Sequence, residues 1–177
     1  MTDDVSDDAG DDSVVAYVAF GSNVDPETNV PRAVALLSQR CDVQATSSVF
    51  RTAALDRPGD PEFLNGVVRV ATRLAPRELK FDVLRKIEAR LGRERTADAY
   101  APRTIDLDLL LYGDAVIDET GLRVPDPDIR RRAFLAAGLV ELDAGVRLPD
   151  TYERVADLAV MRSASGLTVD DDVTRKL

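Results

Sequence analysis

Histidine and tryptophan are absent from this chain of 177 residues, and cysteine occurs once. Without histidine there is no Ser-His or Cys-His catalytic pair, no imidazole general base and no zinc site of the usual His or Cys type. A lone cysteine, Cys41, excludes an intramolecular disulfide framework, so nothing points to an oxidising compartment. Chemistry here has to rest on carboxylates, arginines, hydroxyls and a bound metal. Lysine is scarce as well: Lys80, Lys86 and Lys176 are the only lysines among 23 basic residues. An arginine-rich set of cations suits planar forks onto phosphate, and a compositional or high-salt bias produces it equally well. There is no apolar h-region at the acidic N-terminus and no apolar run of membrane-spanning length, which reads as a cytoplasmic protein with no membrane partner.

The formal charge of −9 is unevenly placed. Residues 1–12 hold six of the 32 acidic residues and no Lys or Arg, so the remainder sets 26 acidic against 23 basic side chains and is only mildly acidic. The first twelve residues read as a disordered acidic tail, and together with the scarce lysine they suggest adaptation to high salt. Residues 13–162 read as one domain and residues 163–177 as a polar C-terminal tail.

Val14 to Phe20 is an apolar run ending in Gly21, Ser22 and Asn23, a buried strand and its turn. Pro26 and Pro31 bracket a helix start, with Val30, Val34 and Leu37 on the inner face. Val43 to Arg51 and Phe63 to Leu74 read as strands joined by a long Pro/Gly/Asp-rich loop. Pro76 opens a helix that Gly92 closes, with Leu84, Ile87 and Leu91 on one side. Further helices are expected after Pro127, with arginines at the start, and over Tyr152 to Met161. The order strand, helix, strand, strand, helix, strand predicts an α+β, ferredoxin-like fold: an antiparallel sheet with helices on one face and extra C-terminal helices.

The run Arg103 to Leu111 reads as a buried strand, yet Asp106 and Asp108 fall on one of its faces. Two carboxylates about 7 Å apart at Cα are either one polar face of a strand or a site that holds something positive between them, an arginine or a divalent cation. Oxygen-only donors favour a hard ion such as magnesium.

Ala101-Pro102-Arg103-Thr104-Ile105-Asp106-Leu107-Asp108-Leu109-Leu110 closely resembles the signature of the 6-hydroxymethyl-7,8-dihydropterin pyrophosphokinases. Phe20 to Asn23, Phe50-Arg51-Thr52, Phe63-Leu64-Asn65, Gly92 to Arg95, Val124-Pro125 and Arg132-Ala133-Phe134 extend the likeness in the family's order over roughly residues 14–150. The resemblance implies pyrophosphate transfer from ATP to the hydroxymethyl group of the pterin, with AMP released, in folate biosynthesis. It implies two magnesium ions on Asp106 and Asp108. Catalytic positions would be Arg93, Arg103, Asp106 and Asp108. ATP contacts would come from Glu88, Arg93, Arg95, Arg103, Leu109 and Arg132. Pterin contacts would come from Thr52, Leu55, Asn65 and the stacking rings of Phe63 and Phe134. The loops at 52–61 and 93–102 are expected to close over the nucleotide.

One departure stands out: Asp126 occupies the place after the Val-Pro step where the family commonly has histidine. Ala99 and Tyr100 replace its basic and aromatic positions ahead of the Pro-Arg step. The partners implied are ATP and the pterin only, with no nucleic acid, and a monomer is expected. The alternative from another class is a non-catalytic ferredoxin-like ligand-sensing module. RNA binding by that fold would want a basic sheet with exposed aromatics, which this acidic chain lacks.

Overall fold

Strand β1 (Val14–Ser22) lies between two antiparallel neighbours, β4 (Phe63–Thr72) and β5 (Asp106–Tyr112), and that explains its unbroken apolar run. Alternate residues go to opposite faces and both faces are covered, so neither set can be polar. Ala16, Val18 and Phe20 enter one core cluster, while Tyr17 and Ala19 enter the other. The computed structural model describes residues 12–53, 59, 61–94 and 102–177.

The far edge of β4 is shared by two short strands, β2 (Asp42–Thr46) and β3 (Phe50–Thr52), where the sequence suggests one continuous strand. β3 is itself flanked on its outer side by Thr168–Val169. The first face of the sheet carries α1 (Pro26–Leu37) and a helix that begins as a π-helical segment, Glu78–Leu84, and continues as α2 (Arg85–Arg90). Val30, Val34, Leu37, Leu79, Val83 and Ile87 from these helices close the first cluster. The second face is covered by α3 (Ala133–Leu142), through Leu135, Ala136 and Leu139, with Leu148, Val155 and Leu158 behind it. A separate hairpin, Ile117–Glu119 with Leu122–Val124, follows β5.

Three local expectations change. The arginine-rich helix start is a short 3-10 turn, Pro127–Arg130, and the α-helix begins only at Ala133, because Arg132 takes an extended conformation. The helix expected over Tyr152 to Met161 is replaced by two 3-10 segments, Val155–Asp157 and Ala159–Gly166, separated at Leu158 by an extended residue. The C-terminal segment docks instead of trailing: Thr168–Val169 adds to the sheet, and Asp171–Thr174 forms a short helix whose Val173 is fully buried. Asp170 anchors it, ion-paired to Arg51 and accepting the Val173 N–H at 2.9 Å. No helix among the described residues is long and apolar enough to cross a membrane. The acidic tail lies outside the described residues up to residue 11.

Candidate active site

Three strands set one row of side chains across the sheet. Gly21 of β1 is the register partner of Asn65 on β4 and of Asp106 on β5. The next row on the same face pairs Ala19 with Val67 and with Asp108. The amide and the first carboxylate therefore flank a residue without a side chain, about 10 Å apart at Cα by ordinary strand spacing. The glycine is required by space, since a Cβ at Gly21 would come within 2.8 Å of Asn65 Oδ1.

The turn after β1 fastens the approach to β5. Ser22 Oγ donates to the Thr104 carbonyl at 2.6 Å, and the Arg103 N–H donates to Asn23 Oδ1 at 2.7 Å. Arg103 is thereby aimed at Asp106, with which its guanidinium pairs. Arg93 reaches the other oxygen of Asp106 from the end of α2. Gly92 adopts φ +80, a left-handed turn glycine enters without penalty, and it returns the chain so that the Arg93 N–H donates to the Glu88 carbonyl at 3.0 Å.

Glu88, implied at the nucleotide, is turned inward with only 2% of its side chain exposed. Its Oε1 accepts the Leu107 N–H at 2.9 Å and pairs with Arg93, so it ties α2 to β5 beneath Asp106. Burial alone would push the Asp106 carboxyl up, but Arg93 and Arg103 outweigh it and hold the group below the ordinary carboxylate value. Burial pulls Arg93 down, and Asp106 and Glu88 more than compensate, leaving it above the ordinary value.

Asp108 is the more open of the pair and is met by Lys80, whose Nζ donates to Oδ1 at 2.6 Å. Asp126 does not turn to an arginine: its carboxylate caps the 3-10 turn by accepting the Asp128 N–H at 2.8 Å, while its own N–H donates to the Leu110 carbonyl at 2.9 Å. Burial raises its carboxyl to about 6, the Asp128 N–H opposes this, and the charges of Asp108 and Asp128 add to it while Lys80 subtracts.

On the other side of Gly21, Asn65 is buried and its Nδ2 donates to Thr52 Oγ1 at 2.8 Å. Thr52 and Phe63 are register partners at the end of β3 and β4, and Phe63 is half-buried. Phe134 is half-buried at the start of α3, against the second cluster. Arg132 is paired to Asp128 at 2.9 Å on the surface. Leu109 is buried in the first cluster. Leu55, Arg95, Ala99 and Tyr100 lie outside the described residues, as do most of both expected lid loops.

Lys80, Gly21 and Asn23 are the contributors that sequence reasoning does not assign. Lys80 is hidden by the π-helical segment, which changes the helical phase after Pro76; the scarcity of lysine is the available signal. Among the described residues no cluster of three or more His, Cys, Asp or Glu could hold a metal by itself. The two carboxylates nevertheless fit a hard cation of the magnesium kind, which binds through one or two carboxylates and completes its shell with phosphate oxygens and water.

An antiparallel α+β sheet that carries paired carboxylates, converging cations and one buried amide on a single face presents groups suited to a small, oxyanion-bearing ligand. The profile of the family 7,8-dihydro-6-hydroxymethylpterin-pyrophosphokinase (HPPK) matches residues 17–144. The 2-amino-4-hydroxy-6-hydroxymethyldihydropteridine pyrophosphokinase of Bacillus subtilis (strain 168) is 40% identical over 131 residues, which cover 72% of this chain and 77% of that one. The Haemophilus influenzae protein of the same name is 33% identical over 141 residues, covering 78% and 87%. The chain belongs to the HPPK family. The solved wild-type HPPK-DHPS of Plasmodium falciparum shares the fold at a TM-score of 0.68 and 12% identity, over 86% of this chain; the matched part spans 45% of that longer chain.

Proposed function

We propose that this chain transfers pyrophosphate from MgATP to the hydroxymethyl group of 6-hydroxymethyl-7,8-dihydropterin, releasing AMP, as a step of folate biosynthesis. The observation that supports the reading is the row Asn65, Gly21, Asp106: an amide and a carboxylate on one face, as a pterin side and a phosphate side would require. The hydroxymethyl oxygen attacks the β-phosphorus, the bond from that phosphorus to the oxygen of the α-phosphate breaks, and AMP departs. Asn65, oriented by Thr52, reads the donor and acceptor edge of the pterin, and Phe63 and Phe134 stack on its faces. Arg93 and Arg103 turn their forks to the phosphates, and Arg132 and Arg95 are further phosphate contacts of the proposal.

Asp106 and Asp108 would hold two magnesium ions, whose charge neutralises the phosphate oxygens as the transfer proceeds. No residue has to act as a general base of histidine type, because positioning and electrostatics carry most of phosphoryl transfer. The strand order β5, β1, β4, then β2 and β3 sharing one edge, supports the ferredoxin-like reading, with β2 and β3 as two halves of one strand. A cytoplasmic location, small-molecule partners only and a monomeric state complete the proposal. The ligand-sensing alternative is not favoured, since the curated relatives are named as enzymes.

The direct test is AMP release from ATP by the full chain with hydroxymethyldihydropterin. Release is expected only when both the pterin and magnesium are present; binding of the pterin with no AMP formed would overturn the reading.

A further inference from the structure

Each carboxylate of the pair has its own cation in this structure. Asp106 is neutralised by two arginines, and Asp108 by Lys80 at 2.6 Å. Lys80 is 12% exposed against 46% for Asp108, so the ammonium comes from inside the fold and the carboxylate looks outward. Lys80 belongs to the π-helical segment Glu78–Leu84, whose neighbouring Leu79, Val83 and Leu84 are buried in the first core cluster. A π turn is wider than an α turn and is a rare, local feature that recurs at functional sites. Its apolar neighbours are committed to the core, so the segment holds the lysine beside β5 with little freedom to swing away.

Among the described residues two carboxylates act on Lys80. Asp108 is its partner on β5, and Asp126, after the hairpin, is close enough that Lys80 lowers and Asp108 raises its proton affinity. A carboxylate already bonded to an ammonium has less charge to offer a second cation, and two cations at one carboxylate repel each other.

We propose that Lys80 is the resident counter-ion of Asp108, which keeps that carboxylate compensated in the ligand-free protein and competes with a divalent cation for it. The inference rests on the metal reading given above. With a cation held at Asp108, the Lys80 ammonium would lose that partner while staying beside β5, where phosphate oxygens arriving with the metal would pair with it. Lys80 thereby makes cation binding weak in the absence of nucleotide and favours joint loading of metal and triphosphate.

The test is Mn2+ binding to the full chain without nucleotide, read by electron paramagnetic resonance, for the wild type, Lys80→Met, Lys80→Gln, Lys80→Arg and Asp108→Asn. Both neutral variants are expected to bind Mn2+ about tenfold more tightly than the wild type. Lys80→Arg, which keeps the charge, is expected to stay within about twofold of it. Neutral variants that bind Mn2+ no tighter than the wild type overturn the proposal; the glutamine variant serves if methionine prevents folding. Mn2+ binding that is the same in Asp108→Asn as in the wild type removes the metal assignment itself and the competition with it. That outcome is separable from a failure of Lys80 alone, in which Asp108→Asn weakens binding and the lysine variants change nothing.

Discussion

Asn65 and Asp106 lie in one cross-strand row, each the register partner of Gly21. The proposed pterin side and phosphate side of the site would thus be two ends of a floor whose centre has no room for a side chain. Gly21→Ala places a Cβ within 2.8 Å of Asn65 Oδ1, and the amide has to move. The expected result is a rise of about tenfold or more in KM for the pterin, a smaller change in KM for ATP, and a stability loss of about 1–3 kcal/mol from overpacking. Steady-state kinetics with each substrate varied in turn checks this.

Arg93 compensates two acids, one of them the buried Glu88. Arg93→Ala leaves both without that partner, and unfolding in urea should show a loss of about 3 kcal/mol, because stranding a buried charge costs more than a surface pair gains. The variant should also lose phosphate-side function. Asp106 adds a pH signature: its folded value lies below its unfolded one, so its stabilising contribution is present above the unfolded value and is lost as pH falls through the folded value. Asp106→Asn should accordingly flatten the acid limb of a plot of melting temperature against pH.

Asp126 has the opposite sign. Its carboxyl is raised to about 6, so the folded chain binds this proton more tightly than the unfolded chain does. That contribution is fully present below the unfolded carboxylate value and is lost as pH rises through about 6. Asp126→Asn keeps an oxygen to accept the Asp128 N–H and removes the charge. It should be more stable than the wild type at pH 8, by on the order of 1 kcal/mol after solvent screening, and no more stable at about pH 4. Melting curves at the two pH values decide it.

The C-terminal segment offers a test away from the chemistry. Asp170 pairs with Arg51 and caps the last helix, and Thr174 Oγ1 accepts the Val49 N–H at 2.9 Å. Asp170→Ala removes an ion pair and a cap together and is expected to cost about 2 kcal/mol, read by thermal or urea unfolding. Because β3 carries Thr52, the loss should also loosen the hold on Asn65.

Some of the fold and of the site is legible in the amino-acid sequence. The apolar run of β1 and the Asp106, Asp108 spacing follow from strand periodicity, and the Pro76 to Gly92 helix ends where a left-handed glycine allows it. The register that joins Asn65 to Asp106 through Gly21 is a long-range pairing, and local pattern does not encode it. The π-helical segment breaks the 3.6-residue phase, so periodicity does not place Lys80. The burial of Glu88 depends on Arg93 and the Leu107 N–H, partners distant in sequence or brought round by a turn. The last segment reads as a polar tail because its apolar anchors are few, Val173 and Leu177, and the rest of its hold is polar: Asp170 with Arg51, Thr174 with the Val49 N–H, and the pairing of Thr168–Val169 with β3. Leu109 is implied at the nucleotide on resemblance alone, and its side chain packs in the core.

The face carrying Asp106 is the one proposed to perform pyrophosphoryl transfer. AMP release from MgATP and hydroxymethyldihydropterin, compared between the wild type and a folded Asp106→Asn variant, measures it. Loss of turnover on the order of 100-fold or more is predicted, with melting and pterin binding retained. AMP release by Asp106→Asn at the wild-type rate, or by the wild type without pterin, would contradict the claim.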